Sequence, residues 1–161
     1  MLTNNITRLL TQRKIHFTMH DLGTTEKLGA VEVSNLLGKP EEKVFKTIIF
    51  MSVSGNGKFL AALVPANHQV DTKKLAAAVR EKKVSPVKQV EAEETTGMQT
   101  GGISPLGLIH KPFRIIADDS INSLDTVIIS AGQRGWQIEL QPTDLLILCK
   151  AQTKPISAPI T

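Results

Sequence analysis

The spacing of apolar and polar residues along the chain predicts both helices and strands. Apolar residues recur every three or four positions in some segments, as on one helix face, and alternate with polar residues in others, as on one strand face. The predicted helices cover residues 4–13, 26–37 and 72–82, with a helical turn at 91–95 and a final short helix over 145–148. The predicted strands cover residues 15–20, 44–53, 58–64, 113–117, 126–129 and 136–140.

Residues at the ends of the predicted helices support their placement. Thr24 or Thr25 is expected to cap the second helix and Asp71 the third, because a side-chain oxygen there accepts hydrogen bonds from free N–H groups of the first turn. Gly38 lies just past the second helix, where a left-handed residue commonly ends a helix.

Hairpins between strands, with helices between some of them, indicate an α+β fold with a mixed sheet. Residues 54–57 and 132–135 are turn sequences, so the strands on either side of each are predicted to pair. We expect one domain over residues 1–150. Residues 151–161 are rich in Pro, Ser and Thr, and we expect them to form a flexible tail.

Composition and charge exclude some classes of function. With 161 residues the chain can build a core, and no apolar run is long enough for a membrane span. The N-terminus lacks the pattern of a secretion signal, so we expect an intracellular, cytoplasmic protein with no membrane partner. The net charge of +4 permits a polyanionic partner, whereas five Phe, one Trp and no Tyr argue against reading RNA by base stacking.

Lys46 interrupts an apolar strand. Alternate side chains of a strand share a face, so Val44, Lys46, Ile48 and Phe50 point the same way. An ammonium group among hydrophobic side chains either reaches water or binds an anion. Two interpretations stay open: a lysine that binds a phosphate or carboxyl group of a ligand, and an edge-strand lysine whose charged end is solvated.

Two segments are rich in glycine. Residues 101–107 contain three glycines and a proline, and residues 130–135 directly follow an apolar strand. Such turns leave backbone N–H groups bare, and a ligand can approach them closely. Neither fits a dinucleotide or triphosphate loop, and Ser104 is not in a nucleophile elbow. They are either plain turns or donors to a carbonyl oxygen that becomes negative during acyl transfer.

The sequence predicts no metal site and no cysteine nucleophile. His16 and His20 share the polar face of the first strand, but no third ligand can be placed beside them. His68 and His110 are predicted to lie in loops. Cys149 ends an apolar segment, so we expect it in the core.

Basic residues concentrate around the third predicted helix and its exit. The default interpretation is a solvated face, and the alternative is a surface for an RNA backbone, whose binding would weaken with salt. These residues are Lys73, Lys74, Arg80, Lys82, Lys83 and Lys88.

Several motifs together resemble one family. The segments are residues 44–47, which contain the strand lysine, 70–75, 96–97, 101–107 and 130–135. Their order and spacing, over roughly residues 4–148, are similar to those of the YbaK-type aminoacyl-tRNA deacylases. These are free-standing relatives of the editing domain inserted in bacterial prolyl-tRNA synthetases. The glycine–serine–proline motif is specific in combination with the lysine and weak alone.

The resemblance implies a curved, mostly antiparallel central sheet with flanking helices and an enzyme that edits mischarged tRNA. It would hydrolyse the aminoacyl ester at the 3′-terminal adenosine, most commonly of Cys-tRNA(Pro) or another small amino acid. The resemblance implies no cofactor and no metal, with mischarged tRNA as a partner and prolyl-tRNA synthetase as a possible one. The implied catalytic residues are Lys46, Gly101 and Gly102. The implied substrate-binding residues are Leu22, Ile103, Ser104, Pro105, Ser130, Gly132, Arg134, Gly135 and Gln137.

The resemblance also implies a role for each part of the site. N–H groups near Gly101 and Gly102 would hold the ester carbonyl, and Lys46 would bind the terminal phosphate or position the aminoacyl group. The turn at 132–135 would shape the aminoacyl pocket. The attacking group would come from the substrate, as a water oriented by a ribose hydroxyl or as the cysteine thiol itself.

Two positions depart from the family pattern. Relatives commonly carry a tyrosine just after the first strand, where this chain has Asp21 and Leu22, and an aspartate where this chain has Gln137. A second hypothesis therefore stays open, in which the same pocket binds an aminoacyl-adenosine end without cleaving it. A third, a metabolite-binding interaction protein, is disfavoured by Lys46, which suggests an anionic ligand.

Overall fold

The computed structural model describes residues 2–53 and 58–160, so the predicted turn at 54–57 lies outside the described residues. The described chain is α+β, as the sequence predicts. Its helices are α1 (Asn5–Gln12), α2 (Ala30–Leu37), α3 (Thr72–Ala78), α4 (Gln89–Thr96) and α5 (Pro142–Cys149). Its strands are β1 (Phe17–Asp21), β2 (Phe45–Ser52), β3 (Phe59–Pro65), β4 (His68–Val70), β5 (Val84–Pro86), β6 (Phe113–Asp118), β7 (Val127–Ser130), β8 (Trp136–Leu140), β9 (Gln152–Lys154) and β10 (Ser157–Pro159).

The strands of the described residues are divided among three sheets. A five-stranded sheet has the order β5-β2-β3-β6-β9, a three-stranded sheet the order β1-β8-β7, and β10 pairs with β4. β6 is parallel to both of its neighbours, and the other pairs are antiparallel. The predicted mixed, mostly antiparallel pairing and both hairpin pairings are confirmed. A single bridge between Val44 and Ile128 connects the two larger sheets.

Apolar side chains pack on both faces of the five-stranded sheet. On one face, Leu75 of α3 and Val79, which follows that helix, pack with Phe50 of β2. On the other, Leu10 of α1 and Leu145 of α5 join the cluster that includes the three-stranded sheet. No helix within residues 2–53 and 58–160 is both long and apolar enough to cross a bilayer.

The second helix begins later than its periodicity predicts. α2 starts at Ala30, and its N-cap is Gly29, whose N–H donates to the Glu32 carboxylate at 3.0 Å. The Thr24 hydroxyl instead accepts from the Glu26 N–H at 3.1 Å in a local turn. The prediction of a helix from residue 26 with a threonine cap is therefore wrong, and the segment before Gly29 is an irregular loop. Its C-terminal end at Gly38 is confirmed, with φ of 63°.

The third helix ends earlier than predicted. Asp71 caps it as expected and accepts from the Lys73 N–H at 3.1 Å. The helix stops at Ala78 rather than Lys82, because Arg80 adopts a left-handed φ of 58° that cannot continue a right-handed helix.

The expected flexible tail is wrong for the described residues up to 160. β9 extends the five-stranded sheet alongside β6, and β10 pairs with β4. Between them Ile156 is fully buried, and its N–H donates to the Asp118 carboxylate at 3.1 Å. Composition suggested fraying, but pairing with distant strands and one buried side chain hold this segment.

Candidate functional site

A cavity of about 370 Å³ opens beside the first half of β2. β5 pairs with β2 only from Phe50 to Ser52. The first residues of β2 therefore pair with β3 on one edge, and β5 does not cover the other edge. Lys46 and Thr47 line the cavity along this stretch. The local end of sheet pairing thus leaves room for a ligand next to a strand.

The cavity brings together five of the residues that the sequence singles out. Lys46 comes from β2, Gly101 and Ile103 from the first glycine segment, and Ser130 and Gln137 from the ends of β7 and β8. These elements are far apart in the sequence. The strand lysine and both glycine segments therefore contribute to a single concave surface.

Lys46 is half-buried and is held by one weak contact with the main chain. Its Nζ donates to the Ala66 carbonyl oxygen at 3.4 Å. Burial lowers the pKa of this ammonium group below its usual 10.5. None of the ion pairs among the described residues involves it. A cation that is partly desolvated and lacks an acidic partner favours a ligand that carries negative charge.

The first glycine segment has a tight turn at Gly101, with φ of 87°. The Gly102 N–H donates to the Gln99 carbonyl at 2.8 Å, so this turn already uses it. The expectation that Gly102 offers a free N–H to a ligand is therefore wrong. Among the described residues, no hydrogen bond uses the N–H groups of Gly101 or Ile103, both of which line the cavity.

The two glycine segments pack directly against each other. A Cβ on Gly102 would lie 2.8 Å from the Arg134 backbone nitrogen and 2.9 Å from the Gln133 carbonyl carbon. Arg134 Nε donates to the Thr100 carbonyl at 2.8 Å, and the Thr100 N–H donates to the Glu93 carboxylate at 2.9 Å. This last bond is the main cause that lowers the pKa of Glu93. Arg134 thus fastens the second segment to the first.

Leu22 and Gly135 join the second glycine segment to the loop before α2. The Leu22 N–H donates to the Gly135 carbonyl at 2.9 Å. Gly135 has φ of 89°, and a Cβ there would overlap the Thr24 carbonyl oxygen. Neither residue lines the cavity, and both belong to the backbone that surrounds it.

Four further predicted substrate-binding residues also lie outside the cavity lining. Ser104 is fully buried, and its hydroxyl accepts from the Leu106 N–H at 3.3 Å at the start of a short 3₁₀ turn opened by Pro105. Gly132 has φ of 94° and packs beside α1. Arg134, as described above, contacts the first segment. These residues shape the turns rather than face the cavity.

Ser130 and Gln137 are paired across the β7–β8 hairpin and form part of the cavity wall. Gln137 is only 5% exposed. No hydrogen bond among the described residues uses its side-chain amide. A buried polar group normally has a partner. The Gln137 amide is therefore available to a ligand.

Sequence reasoning missed the loop before α2 and the first turn of that helix. Lys27 and Glu32 line the cavity together with Gly29. A Cβ on Gly101 would lie 2.9 Å from the Lys27 side-chain Cγ, so this lysine lies over the first glycine turn. The spacing of Gly29 and Glu32, which is that of a helix capping pair, could have indicated where α2 begins. The helical periodicity of the residues around this pair obscured that helix start.

A charged network lies two residues along β8 from Gln137. The Glu139 carboxylate contacts His20 Nε2 at 2.8 Å and accepts from the Thr126 hydroxyl at 2.5 Å, with Lys39 and Lys43 nearby. Burial alone would raise the pKa of Glu139, but these hydrogen bonds and cations lower it to about 2. The network holds β1 and β8 to the segment that leads into β2.

The remaining histidines and the cysteine form no shared site. His16 is exposed, while His20 is engaged by Glu139, and His68 Nδ1 contacts the Ser157 hydroxyl at 2.7 Å. Within residues 2–53 and 58–160, no group of three His, Cys, Asp or Glu side chains could hold a metal ion. Cys149 is buried as predicted, which raises the pKa of its thiol to about 12.

The basic residues around α3 are exposed, and none of them lines the cavity. Lys74 Nζ donates to the Ser157 carbonyl at 3.2 Å, which ties α3 to β10. The default interpretation, a solvated face, accounts for their positions.

Comparison with known proteins gives a consistent result. The model of the aminoacyl-tRNA editing domain family matches residues 24–148. A relative from Enterococcus faecalis, EbsC, whose name is that of a Cys-tRNA(Pro)/Cys-tRNA(Cys) deacylase, is 34% identical over 95% of this chain and 92% of its own length. A proline–tRNA ligase of Staphylococcus aureus is 26% identical over 109 residues, and this match covers 68% of the present chain and 18% of the ligase. A crystal structure described as a trans-editing enzyme for prolyl-tRNA synthetase covers 98% of this chain with a TM-score of 0.81 at 22% identity, which shows a shared fold.

Proposed function

The chain belongs to the aminoacyl-tRNA editing domain family, and from this premise we propose that it hydrolyses mischarged aminoacyl-tRNA. The bond cleaved is the ester between the amino acid and the 3′-terminal adenosine, and the substrate is Cys-tRNA(Pro) or another small amino acid on the same tRNA. The name and the full-length similarity of the Enterococcus faecalis relative support this choice. The function implies the cytoplasm as the location, because aminoacyl-tRNA is used there.

The observation that carries the proposal is the cavity shared by Lys46 and the two glycine segments. Its volume of about 370 Å³ is large enough for a small aminoacyl group. The aminoacyl group enters the cavity, and the adenosine lies at its mouth. Gln137 and Ser130 then offer an amide and a hydroxyl to the polar groups of the amino acid.

Lys46 and the free N–H groups of the first glycine segment polarise the ester carbonyl. Hydrolysis passes through a tetrahedral state whose oxygen becomes negative, and preorganised donors stabilise that charge more than they stabilise the neutral ester. Gly101 and Ile103 supply the N–H groups in this proposal. Gly102 takes no direct part, because its N–H is bonded to Gln99.

The attacking group comes from the substrate or from water. Among the described residues that line the cavity there is no histidine and no cysteine, and the Glu32 carboxylate is bonded to the Gly29 N–H at 3.0 Å. The Ser130 hydroxyl accepts a hydrogen bond from the Gly132 N–H at 3.2 Å. With cysteine as the amino acid, its sulfur attacks its own carbonyl carbon. A C–S bond forms as the C–O ester bond breaks, and the thiol proton passes to the departing ribose oxygen. Water then opens the resulting thiolactone, which breaks the C–S bond, returns the thiol and leaves free cysteine. With other amino acids, a water oriented by a ribose hydroxyl attacks.

A specific observation favours a second candidate, a non-catalytic module that binds aminoacyl-tRNA. Gln137 is a neutral amide where relatives commonly carry an aspartate, and it cannot act as a general base. The module would use the same cavity and the same substrate. It would differ only in leaving the ester intact.

Prolyl-tRNA synthetase is the proposed partner of the hydrolase. An editing protein that recognises only the acceptor end of a tRNA needs another protein to select the tRNA. Co-elution of the chain with the synthetase from a sizing column, with and without tRNA, tests this partner. Separate elution under both conditions would remove it from the proposal.

The test of hydrolysis is single-turnover loss of labelled amino acid from Cys-, Ser- and Ala-tRNA(Pro). The wild type is expected to release cysteine. Sparing of serine would indicate attack by the substrate thiol. Lys46→Met, which removes the charge and keeps most of the volume, is expected to slow release by about a hundredfold, the typical effect of losing one stabilising donor. Lys154→Met, at an exposed lysine of β9, is the matched control. Tight binding of each tRNA with no loss of ester would favour the module instead.

A further inference from the structure

A second concave surface lies beside the candidate site. This cleft, of about 620 Å³, runs between α1 and the chain from Thr96 to Lys111. Arg8 and Lys111 give it two cations, and His110 adds an ionisable ring. Among the described residues that line it there is no aspartate or glutamate. Its charge therefore favours an anion of extended shape.

The cleft and the cavity share a wall. The first glycine segment contributes Gly101 and Ile103 to the cavity and Gly107 to the cleft. The second contributes Ser130 to the cavity and Gly132 to the cleft. A chain that leaves the cavity over this wall therefore enters the cleft.

Close packing builds this wall. A Cβ on Gly132 would lie 2.8 Å from Ile6 Cδ1 of α1, so glycine lets the second turn lie against the helix. The Asn4 side chain donates to the Ala131 carbonyl at 2.9 Å and fastens the start of α1 to the same turn. The position of Arg8 relative to the cavity is thus fixed by contacts between ordered elements.

We propose that this cleft binds the single-stranded nucleotides that precede the 3′-terminal adenosine of the tRNA, with Arg8 and Lys111 on their phosphates. The proposal rests on the proposed function, which places the terminal adenosine at the mouth of the cavity. Each preceding nucleotide carries one negative charge, and guanidinium and ammonium groups are the usual partners of phosphates. Exposed amide side chains in the cleft, at Asn5, Gln12 and Gln133, suit contacts with sugars and base edges.

Arg8 is partly oriented for this contact. Its Nη2 donates to the Asn5 side-chain oxygen at 2.6 Å, which limits the positions of the guanidinium group and leaves its other N–H groups to a ligand. Lys111 lies on the wall of the cleft opposite α1, with Nζ 3.9 Å from the position of a Cβ on Gly97, the residue that ends α4. The two cations thus lie on the two sides of the cleft.

The basic residues around α3 are the rival surface for RNA. They are more numerous, but they line neither the cavity nor the cleft. The number of cations alone does not determine where the 3′ end of the tRNA lies, because its last nucleotide must reach the cavity. Continuity with the cavity favours the cleft.

The test compares a double variant of the cleft with a double variant elsewhere. Arg8→Gln with Lys111→Gln removes two charges from exposed side chains of the cleft, and Lys73→Gln with Lys154→Gln removes two from exposed side chains outside it. Each protein is assayed with Cys-tRNA(Pro), with the cysteinyl ester of adenosine alone, and for binding of uncharged tRNA(Pro) at several salt concentrations.

For the cleft variant we expect kcat/KM for tRNA, relative to that for the adenosine ester, to fall about tenfold, chiefly through KM. The slope of log K against log salt for uncharged tRNA should become shallower by about 1.4, since each single-strand phosphate contact contributes about 0.7. The control variant should match the wild type in both respects.

Several outcomes would overturn the proposal. These are equal tRNA binding by the cleft variant and the wild type, an equal loss of activity on both substrates, and a loss of tRNA binding in the Lys73 and Lys154 variant alone. Failure of the proposed function has a different signature. The wild type would then release no amino acid from any substrate, and the binding of uncharged tRNA would still decide whether the cleft holds RNA.

Discussion

Replacement of Gly102 by alanine tests whether contact between the two glycine segments builds the site. The new Cβ would lie 2.8 Å from the Arg134 backbone nitrogen, whereas ordinary contacts begin at 3.4 Å, so the segments must separate by about 0.6 Å. Overpacking of this kind typically costs about 1–3 kcal/mol. Alanine also reduces the conformational entropy of the unfolded chain, which offsets about 0.4–1 kcal/mol of this loss of stability. We therefore expect the free energy of unfolding to fall by about 1–2 kcal/mol.

The same separation changes the position of the Gly101 N–H relative to Lys46, so deacylation should fall more than stability does. A displacement approaching 1 Å can cost about a hundredfold in rate, and we expect a loss of about ten- to a hundredfold in kcat at a temperature where the variant is folded. Urea denaturation measures the first effect and single-turnover ester loss the second. The wild type is the reference in both assays. An unfolding free energy of Gly102→Ala equal to that of the wild type would refute the argument.

Three other predictions concern charge and burial. Lys46→Met should raise the free energy of unfolding at neutral pH, because it removes a charged amine that folding partly desolvates. The gain in stability should shrink as pH rises from the lowered pKa of the folded state to above 10.5, because the wild-type amine then becomes neutral in both the folded and the unfolded state. Thermal unfolding at pH 7 and pH 10 checks this, and a gain that does not change with pH would contradict it. Glu139→Gln should lower the free energy of unfolding by up to about 3 kcal/mol above pH 4.5, because folding lowers the pKa of Glu139 from 4.5 to about 2. This loss of stability should vanish as pH falls through 2, where the carboxylate is protonated in both states. Denaturant unfolding from pH 2 to 7 measures it, and a cost independent of pH would exclude the network. Cys149 should resist a thiol reagent at pH 8 until the chain unfolds, because burial raises its pKa to about 12; rapid labelling of the folded protein would contradict its burial.

The part of the site that could be read from the sequence is the part that local patterns encode. Lys46 was visible because a charge breaks an apolar strand. The turns at 101–107 and 130–135 were visible because glycine and proline cluster there. What joined them was the resemblance to a family, since strand order and register depend on contacts between distant residues.

Other features depend on contacts that no local pattern contains. The Gly102 N–H is used by Gln99, and only coordinates show which donors of a turn remain free. Lys27 was missed because helical spacing hid a helix start that depends on Gly29 and Glu32. The C-terminal strands have three residues each and no alternation, so their pairing with β6 and β4 was invisible.

The central claim, that aminoacyl-adenosine binds where residue 46 faces the free amides of the first glycine segment, is tested most directly by NMR. The protein, labelled with ¹⁵N, is titrated with cysteinyl-adenosine whose ester is replaced by a stable amide. We predict the largest shifts at the backbone amides of Gly101 and Ile103 and at the side-chain amide of Gln137, with a smaller shift at Gly102. Shifts confined to α3 and its neighbours, with these three amides unmoved, would contradict the account.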